Sequence, residues 1–329
     1  MDIIKQIRYK AGLTKKRIVL CETEDIRTLK AAAYLADNNL VDVILVGSEK
    51  TIRQRASSES VNIPQNVTFS KIEKGETLDR YSDLFFQRRK HKGIDREQAV
   101  EIARQPLFYA ALMVAEGDAD GAVAGAANTT GDVLRAAIQA IGLKKGSSIV
   151  SSIFLMNTMD EHILTFGDCA VVPYPDEHQL ADIAIDSAAT HYALTGDTPK
   201  VAMLSFSTHG SAKHERSEMV VRATDLIKQK KPDLDVDGEL QFDAAFVESV
   251  AKSKAPDSKV AGKANVFVFP NLDAANIAYK ITERMAGATA TGPVIQGLDK
   301  PMNDLSRGCD WEDIVNTSCV TALMAKDQG

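Results

Sequence analysis

The pattern of apolar and polar residues over the first fifty positions predicts a βαβ unit. Apolar residues run from Arg17 to Cys21 and again from Val41 to Val46, as in buried strands, and recur at helical spacing from Ile26 to Asn38. Two apolar strands joined by one helix favour a parallel sheet with helices on its faces and a right-handed crossover.

Strands and helices continue to alternate along the rest of the chain. A polar loop is expected around Ala56 to Pro64. Further strands are expected at 121–125, 149–156, 163–166, 201–205 and 266–269, and further helices at 78–92, 95–104, 107–116, 177–193, 243–252 and 274–285, with one more ending near 228 and one after 310. Alternation in both halves favours two α/β domains over an α+β arrangement.

Composition narrows the class of protein. A length of 329 residues suits two domains, and 44% hydrophobic with 26% charged residues is a normal globular balance. A net charge of −6 argues against broad nucleic-acid binding, which needs a basic surface. The four widely spaced cysteines include no CxxC pair, so neither a disulfide framework nor a metal site is indicated. Without a signal-like or membrane-spanning stretch, we expect a soluble cytoplasmic protein with no membrane partner.

Candidate chemistry is concentrated between Pro301 and Asp313. This stretch offers a hydroxyl, a guanidinium, a thiol and several carboxylates just before a helix. Asp310 is a candidate N-cap, and Asp313 follows three residues later. Acidic residues stabilise the first turn of any helix, so capping alone also explains both aspartates.

Three other polar stretches each have a functional and a structural interpretation. Residues 128–132 follow a short strand and open a helix, where Thr hydroxyls and free N–H groups suit an anion or simply cap the helix. The basic run 88–92 fits either a substrate contact or a solvated helix end. Residues 207–214 lack the Walker A order, and fit either an anion pocket or a capped loop.

A family resemblance covers nearly the whole chain. Residues 292–297 (GPVIQG), followed by 300–309 (KPMNDLSRGC), resemble the C-terminal signature of phosphate acetyltransferases. Residues 17–20 with Glu24 and Asp25, and the segments 89–93, 128–135 and 204–214, also resemble parts of that family. Asn128 stands where the family often has a histidine.

The resemblance implies a fold and a domain arrangement. We expect two doubly wound α/β domains with an inter-domain cleft, similar to the isocitrate/isopropylmalate dehydrogenase-like fold. The first domain would combine residues 1–146 with 295–329, and residues 147–294 would form an inserted second domain. The family also implies a homodimer.

The resemblance further implies reversible acetyl transfer between coenzyme A and inorganic phosphate, by direct attack in a ternary complex. Asp313 would be the general base and Ser306 and Arg307 the other catalytic residues. The implied substrate contacts are Arg89, Thr129, Thr130, Arg135, Ser207, Thr208, Lys213, Arg284, Asn303 and Cys309. Coenzyme A and acetyl-CoA are substrates, and no cofactor is expected to be bound permanently.

The chemistry asks much of an aspartate base. Ordinary thiol and Asp pKa values, about 8.5 and 3.9, leave the proton transfer uphill by about 6 kcal/mol. A concerted transfer avoids a free thiolate, and Ser306 or a nearby N–H group is suited to stabilise the developing oxyanion. No metal is required.

Three other functions stay open on the sequence alone. Acyl preference could be for butyryl rather than acetyl groups. A related fold serves decarboxylating dehydrogenases, which need nicotinamide and a divalent metal. A non-catalytic module that binds acetyl phosphate is the third possibility, and a turnover assay separates it from the enzyme.

Overall fold

The structure is a computed structural model that describes residues 3–325. The chain divides into two compact units. The terminal unit runs up to Lys144 and resumes from Leu298, and the central unit is Lys145–Gly297. These compact units are defined by contacts within the chain. The domain boundaries expected near residues 146 and 294 stay a prediction.

The elements are numbered in chain order. The strands are β1 (Arg17–Leu20), β2 (Asp42–Val46), β3 (Thr68–Ser70), β4 (Gly121–Ala124), β5 (Ser151–Asn157), β6 (Ile163–Gly167), β7 (Lys200–Leu204), β8 (Asp235–Leu240), β9 (Val266–Val268), β10 (Thr289–Gln296) and β11 (Met302–Asp304). The helices are α1 (Ile3–Thr14), α2 (Ile26–Asp37), α3 (Glu49–Ser58), α4 (Glu76–Arg89), α5 (Arg96–Ala103), α6 (Pro106–Glu116), α7 (Thr130–Ala136), α8 (Glu177–Thr195), α9 (Glu215–Lys230), α10 (Phe242–Phe246), α11 (Glu248–Lys254), α12 (Leu272–Ala286) and α13 (Trp311–Met324).

The terminal unit contains a five-stranded parallel sheet in the order β11-β4-β1-β2-β3. From β1 the chain moves outward through β2 to β3, and then returns to place β4 on the other side of β1. In such sheets the loops after the two central strands diverge, and ligands bind in the crevice between them. The carboxyl ends of β1 and β4 are therefore the place to look for a site.

The central unit contains a six-stranded sheet in the order β10-β5-β6-β9-β7-β8. The strands from β6 to β8 are parallel, whereas β5 pairs antiparallel with both β6 and β10. Its core includes the fully buried Phe267 and the nearly buried Phe166, whose rings meet edge to face at 5.7 Å.

The predicted α/β class is confirmed by two sheets of mostly parallel strands joined by helices, and several elements differ from expectation. Strands β3, β8, β10 and β11 were not predicted, and the expected loop at 56–64 begins within α3. The helix expected over 243–252 is two helices, because Val247 leaves the helical conformation. None of the helices described between residues 3 and 325 is long and apolar enough to cross a membrane.

Candidate active site

The loop after β4 is held by a carboxylate from the loop after β1. Glu22, only 7% exposed, accepts hydrogen bonds from the N–H groups of four consecutive residues, Gly125 to Asn128, at 2.8–3.1 Å. The Asn128 side-chain amide donates a further bond of 2.7 Å to Glu22 Oε1. The N–H groups at this crevice are therefore engaged by a carboxylate of the protein itself.

Arg27, in the first turn of α2, connects the crevice loops. Asp25 caps α2, and its carboxylate also pairs with the Arg27 guanidinium at 2.6 Å. The guanidinium donates to the carbonyl oxygens of Ala126 at 2.7 Å and of Arg307 and Cys309 at 2.8 Å. One side chain thus joins the loop after β4 to the segment that carries the predicted catalytic residues.

The two threonines at the start of α7 hold different partners. Thr129 is the N-cap: its hydroxyl accepts from the Asp132 N–H at 3.2 Å and donates to the Asp132 carboxylate at 2.7 Å. The Thr130 hydroxyl donates to Asp304 Oδ2 at 2.6 Å. The interpretation of this turn as a helix cap is therefore confirmed. A role of the two threonines in binding substrate stays a prediction.

Asp304, the last residue of β11, is a buried carboxyl group. It is 3% exposed, and its Oδ1 atom has no hydrogen-bond partner within residues 3–325. Burial raises the pKa of Asp304 to about 6, and the charge of Glu22 adds to that increase, whereas hydrogen bonds from Thr130 and the Leu305 N–H oppose it.

Only glycine fits at position 125, where φ is +112° and a Cβ would overlap the Asp304 carboxyl and the Leu305 backbone.

The segment from Ser306 to Asp313 leads into α13. Ser306 and Arg307 are exposed, and Ser306 Oγ accepts from the Gly308 N–H at 3.2 Å. Asp310 and Asp313 form a reciprocal capping box, in which each carboxylate accepts the other residue's N–H, at 2.9 and 3.0 Å. The predicted N-cap is confirmed, and the exposed Asp313 takes part in the cap.

Cys309 lies just inside this segment. It is 8% exposed, and burial raises the pKa of its thiol to about 11, although the Arg27 charge opposes the increase. At neutral pH the group is therefore a thiol rather than a thiolate.

A cavity of about 270 Å³ opens beside Glu22 and Asn128 within the terminal unit. Arg135 is the basic residue of its lining, and its exposed side chain lies 3.2 Å from Asp132. The other ionisable residues of the lining are acidic or a thiol: Cys21, Glu22, Glu24, Asp25 and Asp132. Any anion in this cavity would depend on Arg135 and on neutral donors such as Asn128.

Residues 2–322 match the family described as Phosphate acetyl/butaryl transferase. The chain belongs to this family. A phosphate acetyltransferase from Acetivibrio thermocellus is 46% identical over 334 residues, which cover 99% of each chain. The resemblance to phosphate acetyltransferases is therefore confirmed.

Solved structures agree with this assignment. The EutD phosphotransacetylase from Staphylococcus aureus superposes with a TM-score of 0.92 at 43% identity, covering 99% of this chain and 98% of that one. A proposed 4-hydroxythreonine-4-phosphate dehydrogenase from Salmonella typhimurium superposes with a TM-score of 0.55 at 11% identity, covering 95% and 99%. The second likeness concerns the fold alone, and it fits the dehydrogenase-like fold class.

Two further predicted contacts of this family member lie in the terminal unit. Arg89 is half-buried in the last turn of α4. Asn303 is fully buried in β11, where its amide donates to the Thr321 hydroxyl at 2.8 Å. Asn303 is thus directed into the interior against α13, and its contact with substrate stays a prediction.

The remaining predicted contacts lie in the central unit. Ser207 and Thr208 are buried in the loop after β7; Ser207 donates to Glu239 at 2.7 Å, and Thr208 accepts from the Gln241 N–H at 2.9 Å. Lys213 and Arg284 are exposed, with the Arg284 side chain 82% accessible. The two hydroxyls support the loop internally, whereas the two cations are accessible to an anion.

Sequence reasoning missed Glu22, Arg27 and Asp304. Arg27 lies two residues after the N-cap Asp25, and a guanidinium in the first turn of a helix, where the dipole disfavours positive charge, was a usable signal. Glu22 follows a strand end, which is where this fold places functional groups. Asp304 lies in a strand that the pattern did not predict, so no local signal marked its burial.

Proposed function

We propose that the chain catalyses the reversible transfer of an acetyl group between coenzyme A and inorganic phosphate. The products from acetyl-CoA and phosphate are acetyl phosphate and free coenzyme A. The observation that carries this proposal is the family match over residues 2–322, with relatives named phosphate acetyltransferase that match along their whole length. The enzyme is accordingly an acyltransferase.

Asp313 is the proposed general base, which takes the thiol proton of coenzyme A when the thiol attacks the acetyl carbonyl of acetyl phosphate. Its carboxylate is exposed, so a bound thiol can approach it. One oxygen accepts the Asp310 N–H, which fixes the orientation of the carboxyl group. Proton transfer concerted with attack at the carbonyl avoids a free thiolate.

Ser306 is the proposed donor to the developing oxyanion. Its oxygen already accepts the Gly308 N–H, so its hydroxyl proton remains available for donation. A donor held in place before charge develops contributes most in the transition state. Arg307, exposed beside it, offers a planar pair of donors to a phosphate or carbonyl oxygen.

Transfer is proposed to be direct, without an acetyl-cysteine intermediate. The protonated thiol of Cys309 is a weak nucleophile at neutral pH, since the thiolate is the reactive form. A covalent route would also need a base for this thiol and another proton transfer for coenzyme A. Attack within a ternary complex needs only one.

Three exposed cations and the half-buried Arg89 are the proposed contacts to the two anionic substrates. Arginine suits phosphate oxygens because its planar fork donates two parallel hydrogen bonds. The proposed set is Arg89, Arg135, Lys213 and Arg284, with Thr129 and Thr130 as neutral contacts.

A homodimer and a cytoplasmic location belong to the proposal as well. Ile277, Ile281 and Met285 recur along one face of α12 and are 58%, 51% and 83% exposed. An interface between two copies of this chain would bury such an apolar stripe. Light scattering on the wild type and on Ile281→Asp tests this: a dimer that the variant converts to monomer is expected, and a monomeric wild type would contradict it.

The activity is tested by ultraviolet absorbance at the thioester band. Acetyl phosphate and coenzyme A should produce thioester, with butyryl phosphate as the comparison, because the family description includes butyryl transfer. A faster reaction with butyryl phosphate would reassign the acyl group. If neither acetyl phosphate nor butyryl phosphate yields thioester, the proposed function is wrong.

A further inference from the structure

The interaction of Glu22 with the loop after β4 has a consequence for the reaction. Two strands at the centre of the sheet, β1 and β4, end side by side, and each continues into a loop of the crevice. Glu22 lies in the first loop, and residues 125–128 form the second. We call the carboxylate and the five N–H groups that it accepts the Glu22 clamp.

The clamp is an anion site that is filled from within the chain. Four successive backbone N–H groups that point at one spot form the kind of concavity that binds phosphate in other proteins. Here Oε2 accepts from Gly125 and Ala126, and Oε1 accepts from Gly125, Ala127 and Asn128. A substrate anion cannot use these donors while Glu22 is present, so the clamp acts on the loop rather than on the substrate.

Fixing this loop also fixes groups on both sides of it. The loop leads directly into Thr129 and Thr130 at the start of α7. On its other side, the Ala126 carbonyl accepts from Arg27, whose guanidinium also binds the carbonyls of Arg307 and Cys309. A loop released by Glu22 would therefore loosen the Ala126 contact of Arg27, whose two other carbonyl contacts lie in the segment with the proposed catalytic residues.

Asn128 completes the clamp with its side chain. Its amide donates to Oε1 at 2.7 Å, the shortest of the bonds to Glu22. An amide has no titratable proton near neutral pH, so it can act only as a fixed donor here. The position where the resemblance leads one to expect a histidine thus supplies a hydrogen bond and no acid–base chemistry.

We infer that Glu22 and Asn128 are positioning residues for the reaction, which hold residues 125–128 so that the threonine turn and the Arg27-linked segment are correctly placed. The inference rests on the proposed function for its kinetic consequence. Its structural content, a loop ordered by an internal carboxylate, does not depend on that function.

The first test replaces the carboxylate with its isostere. Glu22→Gln keeps the size but turns one acceptor oxygen into an N–H₂ group that faces N–H donors, and it removes the charge. Bonds to a charged acceptor are strong, so kcat should fall by about tenfold to a hundredfold. Glu49→Gln is the matched control, because Glu49 lies in the same unit outside the cavity lining, is 57% exposed and pairs with Arg53 at 2.8 Å.

The second test restores an anion. Glu22→Ala leaves four N–H groups pointing into a cavity of carboxylate size, so added formate should raise its kcat several-fold while the wild type gains nothing. Should Glu22→Ala fail to fold, Asn128→Ala and Asn128→Asp replace it. Asn128→Ala loses one donor and should lower kcat modestly. Asn128→Asp places a second carboxylate beside Glu22 and should lower kcat further.

The third test separates the clamp from the proposed activity. Hydrogen exchange measured by mass spectrometry should show faster exchange at residues 125–128 in Glu22→Gln than in the wild type or Glu49→Gln. If the wild type forms no thioester but exchange increases, the proposed function fails and the clamp stands. If exchange and kcat in Glu22→Gln both equal those of the wild type, the inference is wrong.

Discussion

Replacing Asp304 with asparagine isolates the energetic consequence of a buried carboxyl group. Asp304→Asn keeps the side-chain size and an oxygen that can accept the Thr130 hydroxyl, but it cannot ionise. The wild-type group is 3% exposed, and one oxygen has no hydrogen-bond partner among the described residues. The change therefore removes a buried charge and little else.

The magnitude follows from the difference between the native and unfolded pKa. Burial raises the native pKa to about 6 from an ordinary value of 3.8, a difference of about 2. Since each pKa unit corresponds to about 1.4 kcal/mol, ionisation of Asp304 lowers the stability of the native state by about 3 kcal/mol at neutral pH. The native carboxyl group binds its proton more tightly than the unfolded one. This contribution therefore grows as pH rises from about 4, and levels off above about 6.

The expected result is a stability difference between Asp304→Asn and the wild type that depends on pH. Any fixed cost of the amide is the same at every pH, so the variant should gain about 2 kcal/mol relative to the wild type between pH 4 and pH 7. Urea unfolding followed by tryptophan fluorescence measures this stability difference in the terminal unit, which contains Asp304. Trp311 is the single tryptophan, and its ring lies 5.2 Å from that of Tyr34.

The exposed Glu49→Gln variant is the control, and it should follow the wild type across the pH range. A difference between Asp304→Asn and the wild type that stays constant from pH 4 to pH 7 would refute the reasoning. The native Asp304 would then titrate in the ordinary range, and its burial would have to be compensated by a group that the structure does not place beside it.

Three further predictions concern residues 306–313 and Arg27. Asp313→Asn should lower turnover on the order of 10²–10⁴-fold with a stability loss of at most about 1 kcal/mol. Asp310→Asn, which changes the other half of the capping box, should keep turnover. Equal kinetics in both variants would make Asp313 a cap only. Cys309→Ala should remain active because the thiol is protonated at neutral pH; an acetyl group trapped on Cys309 by mass spectrometry would establish the covalent route. Arg27→Lys should lower kcat at least about tenfold, since an ammonium cannot reproduce the guanidinium contacts to three carbonyls, and wild-type kinetics would show that those contacts do not position the segment.

Local pattern was enough to predict the elements with strong apolar periodicity. The βαβ unit at the start of the chain agrees with the structure to within one residue at each end. The strands that were missed lack that signal. β10 contains Gly292 and Pro293, which normally break strands, and β8 alternates acidic residues with single apolar ones. β11 is three residues long and includes Asn303 and Asp304, whose burial depends on neighbours elsewhere in the chain.

The candidate site shows the same division between local and distant signals. The capping box at the start of α13 joins residues three positions apart, so the sequence alone predicted its N-cap. Glu22 and the loop that it holds are 103 to 106 residues apart, and Thr130 and Asp304 are 174 apart. No periodicity links such positions, and only the strand order brings them together.

The distribution of charge in this acidic protein separates interior anions from accessible cations. Glu22 in the terminal unit, and Asp168 and Glu239 in the central unit, are each at most 7% exposed and accept backbone N–H groups of loops beside strand ends. Carboxylates used in this way count toward the net charge of −6, but backbone N–H groups stabilise their charge and they are buried from solvent. Arg307 and Arg284 are exposed. An anionic substrate therefore meets a more positive surface than the composition indicates, and a negative net charge is compatible with coenzyme A and phosphate as ligands.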